Sequence, residues 1–530
     1  MLPKKKELPE HVGPGDRVQG FAARFAAGLQ RGFLELGMLD ARSLALFRIS
    51  LGALIVLDVA LRLIDLRAFY TDFGVLPRVV VIEKHNPSAH FSLLMSSGAV
   101  WFQAVVFLLT AVSGACLALG YRTRVAAVAS WALLVSIQHR NPLILQGGDV
   151  LFRIMLLFAI VLPVSNVWSI DARSKRAKPI RPSLLLFAYV AQIAGVYIVS
   201  GMAKYKNVEC RDGLGLAYSL WLQQYTTWVG DLMGTLPISV LQALCTGTLA
   251  VEMVVPLFLF LPWRVPEIRN ICITVMMLFH LVILLTLKVG LFTLISVVGW
   301  LPLLTAGFWE AIAAKVRGAG LGKLLAAPAA AGAQAVPRWQ RAGTQAVGGL
   351  FLVFLVVWNS ANMFTGLKSS LRPPWLTHVA FFFGIDQSWE MFSRPITSDG
   401  WFMIPAVRAD GTTVDLFSGE EYTGPRRPDS ISASFPGDRW RKYWRNLLSA
   451  DRQHQRLGLG RYLCRRGFEE HDPKRRIEAL QVILIQQSIG PDGTHGAPAK
   501  VLLWSHECKT GLLKKWEKTL PYATLPFPKA

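Results

Sequence analysis

Acidic residues are scarce in this chain. Only 34 Asp and Glu stand against 56 Lys and Arg in 530 residues, and charged residues of both signs make up 17%. With 52% hydrophobic residues and a mean hydropathy of +0.38, that scarcity excludes an ordinary soluble domain of this size and points to several membrane-spanning helices. Cysteine is sparse too. Cys116, Cys210, Cys245, Cys272, Cys464 and Cys508 show neither a CxxC pair nor a metal-ligand spacing, so no metal site is expected. No apolar core follows the basic start Met1-Leu2-Pro3-Lys4-Lys5-Lys6 within reach of a signal peptide, so the first true span is expected to act as an uncleaved anchor. Internal repeats and a matched pair of interrupted helices are missing, which weighs against a transporter. The net charge of +22 comes without a recognition motif, and its basic residues lie in short loops between apolar runs. Nucleic acid is therefore not an expected partner, whereas the lipid bilayer is.

A span needs about 20 mostly apolar residues, and about nine stretches qualify. They are 43–62, 99–119, 123–138, 150–165, 183–203, 237–261, 268–287, 289–306 and 344–364. The segments expected on the inner side carry Arg122 and Arg124, Arg173 to Arg181, Arg264 and Arg269, and the basic residues from Lys315 to Arg341. The outer loops hold fewer: Arg67, Arg78, Lys84, Arg140, Lys206, Arg211 and Lys288. This bias predicts an N-terminus in the cytoplasm of a cell whose inner (plasma) membrane the chain crosses, and a C-terminal region outside.

Three regions follow. Residues 1–42 form a basic segment in which Phe21, Phe25, Leu29 and Phe33 share one helical face, suiting either an interfacial helix or one packed on the bundle. Residues 43–366 form the transmembrane domain and include a low-complexity inner linker at 318–337. Residues 367–530 read as an extracytoplasmic α+β domain. Within it, Trp401–Val407 and Thr412–Leu416 suit a hairpin turning at Ala409-Asp410-Gly411, Trp440–Leu448 suits a helix, and 477–487 and 501–505 suit strands. The expected fold class is thus an all-α polytopic membrane protein with a small C-terminal α+β domain. Outside the cell Cys464 and Cys508 could form a disulfide, although Cys210 is expected on the same side.

Ionisable residues inside spans are costly and invite a functional reading. Asp58 and Arg62, and Asp149 and Arg153, stand at i,i+4 spacing, which suits structural pairs. Lys204 ends the fifth span: it either snorkels as an interfacial anchor or gives up its proton and becomes a base. Glu252 needs a partner or a proton. His280 suits an interhelical hydrogen bond or a catalytic role. At about 1.5 Å per residue all of these fall in the outer half of the bilayer, with only Arg48 clearly at the other end, so a shared cavity is expected.

The motifs Phe47-Arg48…Asp58…Arg62, Phe69-Tyr70-Thr71-Asp72-Phe73-Gly74-Val75-Leu76-Pro77, His139-Arg140-Asn141-Pro142, Gly147-Gly148-Asp149, Tyr197…Gly201-x-x-Lys204, Glu252…Pro256 and Phe279-His280 occur in this order. Together they resemble the HTTM domain, the membrane core of vitamin K-dependent γ-carboxylase and its bacterial relatives. The resemblance covers about 43–364 and extends to Trp389-Glu390-Met391-Phe392. It implies that Lys204 matches the base that deprotonates a reduced quinone. Oxygen then turns the quinol anion into a strong base, which takes a γ-proton from a peptide glutamate, and carbon dioxide adds to the carbanion. His280 matches a histidine able to bond the quinol oxygen, and Arg140, Asn141, Arg153 and Glu252 are candidates for the same pocket. The Ala/Gly/Arg-rich style suggests a bacterium, in which menaquinol would take the place of vitamin K hydroquinone. The C-terminal region is far shorter than the carboxylase region that recognises a propeptide, so a clotting-factor-like substrate is not expected.

Two readings follow. One is a quinol-dependent carboxylase- or oxygenase-type enzyme acting on an exported peptide or small acid. The other is a non-enzymatic maturation or scaffold factor for an exported partner, as in the distantly related lipase-maturation proteins.

Overall fold

The computed structural model describes residues 34–84, 91–173, 180–316, 337–449, 452–468 and 472–508, together with Gly28 and Gly32. The N-terminal helix expected around Phe21–Phe33 and nearly all of the 318–337 linker lie outside these residues.

The membrane region is built from α1 (Ala41–Ile64), α2 (Val100–Leu119), α3 (Thr123–Arg140), α4 (Gly147–Val161), α5 (Leu184–Tyr205), the short α6 (Gly215–Trp221) and α7 (Trp228–Gly234), α8 (Ile238–Phe258), α9 (Val265–Thr286), α10 (Phe292–Trp300), α11 (Ala306–Lys315) and α12 (Arg338–Met363). Local chemistry sets their ends. Asp40 caps α1 by accepting from the Arg42 amide at 2.8 Å, and Ser183 caps α5 by accepting from Leu186. Gly120, at φ 68°, ends α2 in the left-handed conformation that leaves its last carbonyls paired.

Among the described residues, six helices are long and apolar enough to cross a membrane: Leu34–Ile64, which contains α1, and α2, α5, α8, α9 and α12. A seventh span arises if the α10–α11 pair, bent by 96°, is one broken crossing. The expected nine are not all met, for a physical reason. The stretch at 123–138 becomes α3, an 18-residue helix whose end carries Gln138, His139 and Arg140, all buried. The stretch at 150–165 becomes α4, which at about 1.5 Å per residue is shorter than the roughly 30 Å hydrocarbon core. Its side chains are mostly buried against other helices. Apolar composition records burial of any kind, and α4 satisfies it with protein rather than lipid.

The opposite case is α9, in which Ile271, Leu278, Leu281, Val282 and Leu285 are exposed and form a lipid-facing surface. Large exposed aromatics mark the helix ends. Trp101, Trp228 and Trp375 stand at the start of α2, ahead of α8 and beyond α12. Tyr121, Trp263 and Trp339 stand at the end of α2, ahead of α9 and at the start of α12.

Beyond α12 come α13 (Pro374–Phe383), β1 (Ser398–Met403), β2 (Pro405–Arg408), β3 (Thr413–Asp415), α14 (Asp438–Asn446), α15 (Gln453–Phe468), β4 (Ile477–Ser488) and β5 (Ala499–Glu507). The long β4 is central. β1 and β2 follow each other along one of its edges, broken at Ile404, while β5 pairs with the other edge, and all pairs are antiparallel. The hairpin expected at 401–416 forms as β2–β3, turning at Gly411 with φ 85°. Cys464 on α15 is bonded to Cys508 beyond β5, whereas Cys210 is free and buried. One continuous hydrophobic cluster runs from Leu39 on the membrane side to Leu503 on β5, so the sheet region is seated on the helix bundle.

Candidate functional site

The charged residues of the spans separate into distinct groups instead of one cavity. The first is a four-charge cluster that joins α1, α4 and α14. Arg62 donates to Asp58 at 2.7 Å, to Asp149 at 2.7 Å and to the Tyr70 hydroxyl at 2.8 Å. Arg439, from the C-terminal region, donates to Asp58 at 2.6 Å, to Asp149 at 3.3 Å and to the Ile144 carbonyl at 3.2 Å. The Gln146 amide donates to Asp149 at 2.8 Å. Two carboxylates and two guanidiniums are thus mutually satisfied in the interior. Asp149 does not pair with Arg153 as the i,i+4 spacing suggested. Arg153 turns to Asp386 at 3.2 Å and donates to His139 Nε2 at 3.3 Å, while His139 Nδ1 bonds the Phe91 carbonyl at 2.9 Å.

The second group is Lys204 with Glu252. The ammonium lies 2.5 Å from the carboxylate, and the two side chains are 17% and 8% exposed. Lys204 stands next to the end of α5, but Glu252 lies within α8. Close approach of these helices makes the pair possible: a Cβ at Gly201 would collide with Met253. No further hydrogen bond or ion pair engages either side chain among the described residues.

The third group is one helix further in. The Tyr197 hydroxyl lies 2.6 Å from His280 Nε2, and Trp300 Nε1 donates to the same hydroxyl at 2.9 Å. Where the Tyr197 O–H is directed at Nε2, a neutral imidazole carries its hydrogen on Nδ1. That Nδ1 is buried and has no partner among the described residues. Tyr197 and Lys204 are seven residues, about two turns, apart on α5, so they share a face. Glu252 is near enough to Tyr197 to interact with it electrostatically. Lys204 and His280 themselves do not touch.

Arg140 and Asn141, expected in the pocket, hold a loop. Arg140 donates to the carbonyls of Leu76 at 2.9 Å and Thr71 at 3.3 Å, and Asn141 donates to the Phe69 carbonyl at 3.0 Å while accepting from the Leu143 amide. Their positions after a helix end, where free carbonyls gather, explain the use. Among loop acids, burial pushes the Asp65 carboxyl up, against the Trp440 hydrogen bond and Arg439. Burial acts the same way on Asp72, but hydrogen bonds and charge from Arg78, with Arg140 behind, outweigh it and hold that carboxyl below the usual range.

A cavity of about 690 Å³ opens where the helix bundle meets the C-terminal region. The Ser388–Arg394 segment forms one side of it and also borders a 250 Å³ cavity against Ala203 and Lys206 of α5. That segment is anchored by Gln387, whose side chain accepts from Trp389 Nε1 at 2.7 Å and from Gln192 at 2.8 Å, and whose carbonyl accepts from Trp358 Nε1 at 2.7 Å. Phe292 lines the larger cavity, and its ring centroid is 6.2 Å from that of His280.

Sequence reasoning missed Arg439, Tyr197 and Trp300. Arg439 sits in Arg439-Trp440-Arg441-Lys442-Tyr443-Trp444-Arg445, a run too aromatic for a helix with a free outer face; that was the available signal. Tyr197 was flagged only as part of a motif, without its partners. No group of three or more His, Cys, Asp or Glu capable of holding a metal occurs among the described residues.

The family model described as "HTTM domain" matches residues 38–309, more than half of the chain, and the chain belongs to that family. No curated protein and no solved structure matches it.

Proposed function

We propose that this HTTM-domain protein is a membrane enzyme in which Lys204 and Glu252 move a proton for a reduced-quinone substrate. The observation that carries this reading is the pair itself. An ammonium and a carboxylate are held together at 2.5 Å, mostly removed from water, with lone pairs and N–H groups left over. Such a pair can take a proton on the carboxylate, or on the amine after the amine has passed its own proton across.

The residues present suit a quinol. In the tautomer with the Tyr197 O–H directed at Nε2, His280 Nδ1 is a buried donor that a ring oxygen would satisfy. Trp300, Phe279 and Phe292 give the surroundings an apolar, aromatic character that excludes water. A bound reduced quinone would supply four electrons to oxygen, two from its hydroquinone and two from the ring double bond that is epoxidised, giving quinone epoxide and water. The chain's own part is to orient the ring and accept its proton. Carboxylation of an exported acid or peptide is the further step suggested by the γ-carboxylase resemblance.

Outward placement of the C-terminal region is supported by the loop charges and by the Cys464–Cys508 disulfide, which persists in oxidising compartments. The second reading, a maturation factor or scaffold, is favoured by Arg439, because it fixes that region permanently on the bundle.

The test is epoxide formation by purified protein given reduced menaquinone and oxygen. The expected result is epoxide from the wild type and background from Lys204→Ala. Equal epoxide from both removes Lys204 from the role; none from either, across quinones, leaves the scaffold reading.

A further inference from the structure

The 690 Å³ cavity carries both apolar and cationic lining. The bundle side presents Leu222, Tyr225, Val289 and Phe292, which are apolar or aromatic. The C-terminal side presents Arg394 and, from one helix, Arg441, Lys442 and Arg445, beside the apolar Met391, Phe392 and Ile396.

Arg441 is already engaged: it bonds Asp438, the Lys288 carbonyl and, at 3.1 Å, the Gln224 carbonyl. Asp438 is also bonded by Gln146. Arg394, Lys442 and Arg445 have no ion-pair partner among the described residues, and Arg445 only stacks over Tyr225 at 5.6 Å. The remaining acid on the wall is Glu390, which is exposed. Lys442 is half-buried, and burial followed by the charges of Arg445 and Arg452 pushes its pKa down. Asp149 and Asp438 offset part of that effect.

We propose that this cavity binds a phosphate-bearing amphiphile, with the anionic headgroup against Arg394, Lys442 and Arg445 and the start of the acyl chain along Leu222, Val289 and Phe292. Three unpaired cations facing an apolar wall ask for a ligand with both properties. The volume falls in the range of sites that take a ligand of a few hundred daltons. The nearby α7 carries Trp228 and Leu232, 78% and 63% exposed and four residues apart on one face, which suits a position at headgroup depth. The source of the phosphate is therefore a bilayer lipid. This inference is independent of the enzymatic reading.

The experiment uses the full chain, delipidated in detergent and titrated with phosphatidylglycerol or phosphatidylcholine, with bound lipid read by native mass spectrometry. Inorganic phosphate and a glutamate-rich peptide are added as competitors. Each cation near an anionic headgroup is expected to contribute about fivefold in affinity, so Arg394→Gln should weaken phosphatidylglycerol about fivefold and Lys442→Gln with Arg394→Gln about 25-fold. Phosphatidylcholine should be little affected. Arg394 is exposed, so its variant keeps the test valid if changes at Lys442 disturb folding.

Equal binding of the two lipids, or phosphatidylglycerol binding unchanged in Arg394→Gln, overturns the proposal. Displacement of the lipid by inorganic phosphate at equal concentration assigns the site to free phosphate and overturns the amphiphile. Tighter binding of the peptide than of the lipid overturns it in favour of an acidic substrate.

Discussion

Two buried ionic groups in this protein differ in how fully they are satisfied. Around Asp58 and Asp149, two arginines, the Tyr70 hydroxyl and the Gln146 amide use up the polar capacity of the site. Among the described residues, Lys204 and Glu252 have only each other. Exposure does not separate the groups, since Arg439 and Lys204 are both 17% exposed in their side chains. The partners do. Arginine forks fix several carboxylate oxygens at once and do not give up protons, whereas a lysine is a point charge that can. A closed arginine–aspartate cluster holds elements together; an open lysine–glutamate pair can change state. The difference teaches that a charge inside a bundle is best read by counting what remains unpaired.

The largest effect is expected at the closed cluster. Arg439→Ala leaves two aspartates with one arginine, and breaking a buried ionic group in this way costs about 3–5 kcal/mol. The loss should appear as a lower unfolding midpoint and as proteolysis near α14. Asp149→Asn added to Arg439→Ala should recover part of it, because the carboxylate left without Arg439 is then gone. Full additivity of the two substitutions would mean the groups are not coupled.

Next comes the open pair. Lys204→Ala strands the Glu252 carboxylate and should destabilise as well as inactivate. Lys204→Met with Glu252→Gln removes both charges and should bring stability to within about 1–2 kcal/mol of the wild type while leaving no activity. Thermal unfolding in detergent distinguishes the two. If the double variant is as unstable as Lys204→Ala, the pair is a structural cluster like the first.

Smaller again is Tyr197→Phe, which leaves His280 Nε2 and Trp300 Nε1 without a partner. The expected loss is about 1–3 kcal/mol in unfolding free energy, with quinol-dependent turnover falling more steeply than stability.

The smallest effect belongs to Asp72, whose side chain is 41% exposed and so largely screened. Arg78 holds its carboxyl below the usual range against the opposing effect of burial. A depressed folded-state value means the stabilisation is present above the unfolded value, about 4, and fades as pH falls through the folded one. Wild type should therefore be slightly more stable than Asp72→Asn at pH 7, and the gap should close under strong acid. A constant gap would assign the effect to packing.

Much of this was legible in the sequence because it rests on local pattern. Apolar runs marked the helices, and Gly411 marked the β2–β3 turn. The Asp58–Arg62 pair follows from four-residue spacing on one helix. What escaped depends on contacts far apart in the chain. Arg439 meets Asp58 from 381 residues away, and no periodicity records that. Glu252 was noted as needing a partner, yet the identity of that partner is fixed by how Gly201 lets α5 approach α8. Arg140 and Asn141 were candidates because their loop resembles one that lines the carboxylase pocket, and their hydrogen bonds to carbonyls of the Phe69–Leu76 loop are long-range contacts that no spacing records. Nine spans were expected and six or seven helices qualify among the described residues, because hydropathy treats α4, buried against protein, like α9, whose apolar side chains are exposed.

Oxygen consumption by proteoliposomes supplied with reduced menaquinone tests the central claim most directly when the wild type is set beside the folded Lys204→Met/Glu252→Gln double variant. The account predicts quinol-dependent uptake by the wild type and none above background by the double variant at matched thermal stability. Equal uptake by the two would contradict it.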